Sequence, residues 1–252
     1  MQHLLSYLIF LPIIAGLLAL LIPSAYQKTF RLLALSVSFV QLLLLFLIAR
    51  SYSPIGSSSQ LIEKTSWITL ELGSWGLFKA EYFVGLDGLS FIMVLLSVVI
   101  LFIAVLSSWN TTKSAKGYFI LLLILNGAVI GSFCAKDLLL FYLFFEFMLL
   151  PMYFLIGIWG GPRREYASIK FFLYTLLGSI LILVVIIGLY SSVKEPGPSV
   201  QVVHTFNMEY MKDSGNYISG SVLNYSEPWI IGAWSARLWA FLFLFIGFAI
   251  KL

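Results

Sequence analysis

Seven long apolar stretches follow one another along this chain, and they constrain its fold more than any single motif does. The hydrocarbon core of a bilayer is about 30 Å thick and an α-helix rises about 1.5 Å per residue, so about 20 apolar residues cross it. Helices are expected because hydrocarbon offers backbone N–H and C=O groups no other partners. The predicted spans lie near residues 4–22, 30–49, 88–109, 117–135, 138–159, 166–191 and 238–252. The sequence therefore predicts an all-α polytopic membrane protein of about seven transmembrane helices, with residues 1–252 in a single transmembrane domain.

The composition supports this class and excludes several others. The chain is 61% hydrophobic and 10% charged, whereas soluble domains carry about 25% charged residues. Its basic residues form no cluster interleaved with exposed aromatic residues, so we expect no nucleic-acid partner. Cys134 is the only cysteine, which excludes an internal disulfide and a cysteine-based metal site. The sequence contains no CxxC, HExxH or Gly-rich phosphate loop. We therefore predict no metal and no redox cofactor on this chain.

Two long polar segments interrupt the apolar pattern, at residues 50–84 and 192–237. The first contains "SWITLELGSW", whose alternation of polar and apolar residues predicts a short strand or hairpin at the membrane surface. The second contains "KEPGPSV" and "MKDSGNYISGS", which are typical of turns. We expect at most a short amphipathic element there, and no separate domain.

The short loops between the predicted helices carry the basic residues that set orientation. All of them fall on one side of the predicted membrane: Lys28, Arg31, Lys113, Lys116, Arg163 and Arg164. Short basic loops stay on the cytoplasmic or matrix side. The N-terminus and both long loops are therefore predicted on the outer side. The first apolar stretch lacks the basic n-region of a signal peptide, so we interpret it as a retained helix.

Apart from Arg31 at the edge of its span, the charged residues within the predicted spans are Glu146, Lys170 and Lys251. Glu146 lies about 13 Å from the outer end of its helix, near mid-membrane, where a carboxylate is costly and mostly functional. Lys251 lies about 20 Å from the same side. Two flexible side chains bridge this difference in depth, so Lys251 is the predicted partner of Glu146. Lys170 lies only about 7 Å from the inner side and is predicted to snorkel to that surface, with a role in proton transfer left open. A buried acid–base pair suits a proton relay because joining or separating it changes proton affinity. A protonated Glu146 bonded to a neighbouring backbone or hydroxyl group remains the alternative.

Asp137 and Pro151 flank Glu146 on the fifth predicted helix. Nine residues correspond to about half a turn, so Asp137 and Glu146 face opposite sides. Asp137 is predicted to cap the helix, with a gating role left open. Pro151 removes the donor that would bond to the carbonyl of Phe147, so we expect a local kink. That kink either exposes a carbonyl to a polar neighbour or serves packing.

Four segments carry a resemblance to a known family: "YFVGLDGLSFIMVLL", "DLLLFYLFFEFMLLPMYFLIGIWGG", "KFFLYTLLGS" and "FLFLFIGFAIKL". From about Tyr82 to the end, the chain resembles the antiporter-like membrane subunits of respiratory complex I. Within that family it is most similar to the branch that includes chain M of bacterial NADH-quinone oxidoreductase and chain 4 of the mitochondrial enzyme. The resemblance implies the N-terminal part of an antiporter-like 14-helix fold, which is not expected to pump alone.

The resemblance also implies functions for individual residues. Glu146 matches the family's glutamate and Lys251 its lysine of the discontinuous seventh helix, which together couple redox chemistry elsewhere in the complex to proton translocation. Asp137 matches the family's aspartate at the head of the fifth helix. NADH, quinone, FMN and iron–sulfur clusters are implied on partner subunits, so the chain is expected to act in an enzyme only as a membrane subunit. The expected location is the bacterial inner membrane, or alternatively the mitochondrial inner membrane.

Two other functions fit the same helices. One is a homologous subunit of a multi-subunit Na⁺/H⁺ antiporter or a membrane-bound hydrogenase. The other is a truncated scaffold that takes no part in transport.

Overall fold

A computed structural model describes residues 3–53, 59–71, 77–196, 203–224 and 235–251. Each predicted span is helical, with ends within about three residues of the prediction. The helices are α1 (Leu4–Ala19), α2 (Gln27–Ser51), α3 (Gly88–Ser107), α4 (Ala115–Cys134), α5 (Leu138–Phe147), α6 (Leu149–Trp159), α7 (Arg164–Ser192), α8 (Met208–Met211) and α9 (Ala236–Lys251). Among the described residues, five spans are long and apolar enough to cross a membrane, with α5 and α6 forming one of them. The predicted helical membrane fold is therefore confirmed.

The polar segment before α3 forms a two-stranded hairpin. Strand β1 covers Gln60–Glu71 and strand β2 covers Leu77–Leu86. The predicted strand or hairpin is thus confirmed, and it extends further on both sides than the alternating motif does. Residues 72–75 of that motif lie outside the described residues.

The other polar segment contains little regular structure where it is described. It holds α8 and a single 3₁₀ turn at Ser214–Asn216. Residues 197–202 and 225–234 of this segment lie outside the described ranges. Helix α8 is a short element of the kind expected, and its amphipathic character stays a prediction.

The fifth span is interrupted where Pro151 was predicted to kink it. Helix α5 ends at Phe147 and α6 begins at Leu149. Because proline has no N–H, the Phe147 carbonyl loses its helical partner four residues later, and the helix is interrupted one turn before the proline. The bonds across the interruption are long, with Met148 N–H donating to Phe144 O over 3.2 Å and Met152 N–H to Met148 O over 3.3 Å.

Two compact units divide the chain. The first comprises Met1–Glu63, Val84–Ala135 and Leu143–Ser168, and the second comprises Lys64–Phe83, Lys136–Tyr142 and Ile169–Leu252. The prediction of one domain over residues 1–252 stays a prediction.

An apolar core and a buried amide pair hold the first unit together. Phe30, Phe119 and Leu123 are buried where α2 and α4 pack. At another point the Gln41 side-chain amide donates to Leu8 O at 3.0 Å and accepts from Asn126 at 3.1 Å. These bonds join α1, α2 and α4, and satisfy polar groups that hydrocarbon leaves unpaired.

The basic short loops gather at one end of the first unit. Lys116 Nζ donates to Leu20 O at 2.8 Å, at the end of α1. Arg31 donates to Thr111 O at 3.0 Å, and Lys113 donates to a carbonyl near the end of α6. Lys116 and Lys113 thus lie at the ends of α1 and α6, where a cation is favourable because the last carbonyls of a helix have no helical partners. Which side of the bilayer this end faces stays a prediction.

In the second unit α7 and α9 run antiparallel. The N–H of Leu223 donates to Ser192 Oγ at the end of α7 at 3.3 Å, and its carbonyl accepts from Arg237 Nε near the start of α9 at 2.5 Å. Further along, Gly178 and Gly247 bring the two helices close, since a Cβ on either glycine would lie 2.8 Å from the carbonyl oxygen of the other.

Candidate functional site

Glu146 is half-buried, and it is the second-last residue of α5, just before the interruption. Its neighbour Phe144 determines how α5 packs within the first unit. The Phe144 ring lies against Gly131 of α4, where an added Cβ would come within 2.6 Å of the ring. The same ring lies 6.4 Å from the ring of Phe10 on α1. The glutamate is therefore held at mid-span by a closely packed aromatic residue two positions earlier.

Lys251 is half-buried in the last turn of α9, in the second unit. It follows Gly247 by four residues, which is about one helical turn, so the two share a face of α9. The close approach of Gly247 to α7 therefore sets the position of the lysine. Glu146 and Lys251 lie in different units, and their pairing stays a prediction.

Lys170 is exposed near the start of α7. Its Nζ lies 5.5 Å from the ring centroid of Tyr174, one turn further along the helix. A cation over an aromatic face is weakly favourable at exposed sites. This placement suits a side chain that extends towards the surface, and the participation of Lys170 in proton transfer stays a prediction.

Asp137 is only 1% exposed and lies just before α5, in the second unit. Its Oδ1 accepts from the N–H groups of Leu139 and Leu140, both at 3.0 Å, which is the geometry of a helix cap. Its Oδ2 accepts from the backbone N–H of Glu81 at 3.3 Å, linking α5 to β2. Burial raises the pKa of Asp137 to about 6, and this effect outweighs the three hydrogen bonds from backbone N–H groups, which lower the pKa. The carboxyl therefore changes charge close to neutral pH.

A chain of ion pairs lies in the second unit, and the sequence analysis did not find it. Lys64 Nζ lies 2.8 Å from Glu81, Glu81 lies 3.0 Å from Lys79 Nζ, and Lys79 lies 3.0 Å from Glu195. Burial raises the pKa of Glu81, but bonds to the two lysines outweigh it and hold that pKa below its usual value. Burial likewise lowers the pKa of Lys79, but the two glutamates raise it overall. Glu81 and Lys79 therefore both stay charged at neutral pH.

One sequence signal for this ion-pair chain was present. Lys79 and Glu81 are two residues apart on a strand, so they lie on the same face. Glu195 is more than a hundred residues distant and gave no such signal. Among the described residues, no group of three or more His, Cys, Asp or Glu side chains is placed to hold a metal ion.

Comparisons with known proteins show what this chain is similar to. Residues 135–252 match the transmembrane domain described as NADH:quinone oxidoreductase/Mrp antiporter. NADH-quinone oxidoreductase subunit M of Rhodobacter capsulatus is 38% identical over 194 residues, which cover 75% of this chain and 36% of that protein. Chloroplastic NAD(P)H-quinone oxidoreductase chain 4 of Mesostigma viride is 39% identical over 72% of this chain and 35% of that protein. The chain thus spans about a third of the length of these relatives.

Solved structures agree on the fold. A chain of respiratory complex I from Thermus thermophilus with bound NADH superposes with a TM-score of 0.66 at 24% identity, over 98% of this chain and 43% of that chain. The match of residues 135–252 and the two relatives confirm the family resemblance predicted from the sequence, and the solved structure confirms the fold. This integral membrane protein is therefore similar, over residues 135–252, to the transmembrane domain of the NADH:quinone oxidoreductase/Mrp antiporter family, and resembles subunit M and chain 4.

Proposed function

We propose that this chain contributes the N-terminal part of a proton-translocating membrane subunit of NADH:quinone oxidoreductase. The observation that carries the proposal is Glu146: a carboxyl at mid-span, beside an interrupted helix, within the residues that match the family. Ionisable groups at this depth are costly and commonly mark ion or proton pathways. An interrupted helix near the midplane is typical of transport sites.

In this proposal Glu146 and Lys251 exchange a proton within the membrane. Desolvation favours the neutral forms of both groups, and their mutual attraction favours the charged forms. A movement that separates them therefore releases a proton or takes one up. Quinone reduction occurs on partner subunits, which supply NADH, FMN, iron–sulfur clusters and the quinone site. Other membrane subunits of the respiratory complex are the proposed partners.

Replacing either residue in the intact complex tests this proposal. Glu146→Gln and Lys251→Ala each remove a titrating group, so the number of protons moved per electron in sealed vesicles should fall by at least half. Quinone reduction in uncoupled membranes should persist, because no redox group is removed. Glu165→Gln and Lys194→Ala are matched controls, since both side chains are exposed. An unchanged stoichiometry in Glu146→Gln would remove that residue from the pathway.

A second function follows from the family description, which names the Mrp antiporter beside the oxidoreductase. A subunit of a multi-subunit Na⁺/H⁺ antiporter would use the same helices. Vesicles that acidify in response to a Na⁺ gradient without NADH or quinone would favour it. Proton movement that needs NADH oxidation, at any Na⁺ concentration, would favour the oxidoreductase.

A further inference from the structure

A cavity of about 390 Å³ lies in the second unit, between the end of α7 and the start of α9. One part of its lining is apolar and comes from both helices, with Val185 and Leu189 on α7 and Phe241 and Leu244 on α9. The other part comes from the polar segment between them and carries Lys212, together with Arg237 at the start of α9. The cavity is therefore amphipathic, and nothing in the proton pathway uses it.

The helix ends place this cavity at the membrane surface. Val185 lies seven residues before the end of α7, and Leu244 lies seven residues after Arg237 on α9. At about 1.5 Å per residue, both apolar walls descend about 10 Å from the helix ends. They descend to the same depth because the two helices are antiparallel. The cavity thus opens at the level of the lipid headgroups and extends into the hydrocarbon.

Two cations line the polar part of the cavity. The guanidinium of Arg237 is held in place, with Nε donating to Leu223 O at 2.5 Å and Nη2 to Asn224 Oδ1 at 3.1 Å. Lys212 is exposed. The nearest acidic neighbour in sequence, Asp213, accepts a bond from the N–H of Gly215 at 3.0 Å and does not line the cavity. Among the described lining residues the charged side chains are both cations, so the polar part of the cavity offers positive charge to a ligand.

We propose that this cavity binds an anionic phospholipid of the bilayer, with its phosphate at Lys212 and Arg237 and the start of one acyl chain between α7 and α9. Arginine and lysine are the side chains that bind phosphate groups, Arg in a fixed fork and Lys as a point charge. A cationic pair at headgroup depth above an apolar slot fits this class of molecule better than a zwitterionic lipid or a soluble anion. The site does not depend on proton transfer.

Lipid counting on the intact purified complex tests the proposal. The complex is stripped of lipid in detergent, incubated in mixed micelles with equal amounts of phosphatidylglycerol and phosphatidylcholine, and examined by native mass spectrometry. Lys212→Gln should weaken retention of one phosphatidylglycerol about fivefold, as expected for one lysine near an anionic headgroup. Ala240→Phe, which places a ring in the cavity, should remove that molecule altogether. Lys194→Gln, an exposed lysine that does not line the cavity, is the matched control.

Three results would overturn the proposal. The first is an equal phosphatidylglycerol count in the wild type and Lys212→Gln, as expected if another helix of the complex fills the cavity. The second is equal retention of both lipids by the wild type. The third is a free fatty acid retained as well as phosphatidylglycerol at the same concentration. Lys212→Gln changes only a surface side chain, so the test holds even where Ala240→Phe disturbs folding.

Discussion

At the scale of single residues, Asp137 shows how burial and hydrogen bonding oppose each other. Its carboxylate accepts three backbone N–H bonds, which favour the charged form. It is also almost fully buried, which favours the neutral form more strongly. The resulting pKa of about 6 makes this cap sensitive to pH, unlike Glu81 and Lys79, whose pKa values are shifted away from neutrality.

Asp137 should therefore make stability depend on pH in a defined direction. The pKa is raised from 3.8 to about 6 on folding. The stability that protonation contributes is fully present below about pH 4 and is lost as pH rises through about 6. Two pH units correspond to roughly 3 kcal/mol. In Asp137→Asn that part of the pH dependence should vanish, so the difference in melting temperature between wild type and variant changes between pH 4 and 7.

The melting temperature of the detergent-solubilised complex, measured at several pH values, checks this prediction. Asp213→Asn is the matched control, because Asp213 also accepts a local backbone N–H but is exposed. Parallel pH curves for the wild type and Asp137→Asn would contradict the prediction.

At the scale of elements, glycines determine how closely the helices approach. Gly178 and Gly247 let α7 and α9 meet backbone to backbone, as small residues commonly do in membranes. In the first unit a glycine also allows close packing, because Gly131 leaves room for the ring of Phe144. These contacts position the helices that carry Lys251 and Glu146.

Adding one carbon at the α7–α9 contact should therefore destabilise the second unit. In Gly247→Ala the new Cβ would lie 2.7 Å from Ile182 Cγ1 and 2.8 Å from Gly178 O. The Gly178 carbonyl belongs to the backbone and cannot move aside without distorting α7. We therefore expect the free energy of unfolding to fall by about 1–3 kcal/mol. Gly161→Ala is the control, since nothing lies within 4 Å of its added Cβ. Thermal unfolding of both variants checks the prediction, and equal melting temperatures would contradict it.

At the scale of the whole molecule, the proposed function depends on two residues in different units. If Glu146 and Lys251 act as one pair, their substitutions should not be additive. Complete loss would hide this effect, so partial variants are needed. Glu146→Asp and Lys251→Arg should each lower the proton stoichiometry. The stoichiometry of the double variant should be no lower than that of the more impaired single variant. Proton stoichiometry in sealed vesicles measures this, and losses that multiply would show that the residues act independently.

Much of the architecture was predictable from the sequence. The helices, the hairpin between α2 and α3, and the interruption before Pro151 follow from requirements that act within a few residues. The ion-pair chain was only half predictable. The spacing of Lys79 and Glu81 on one strand indicated a shared face, whereas the contact with Glu195 joins segments more than a hundred residues apart.

The sequence by itself determined which segments form apolar helices of membrane-spanning character, because hydrocarbon penalises every unpaired polar group at its own position. Only the tertiary structure decided that Asp137 is buried and bonded to β2, that glycines join α7 to α9, and that an amphipathic cavity opens between them. Those features depend on which distant segments come together, and no local pattern of residues specifies that. Burial then sets the charge state of Asp137, since the same carboxylate on an exposed helix cap would titrate near its usual pKa.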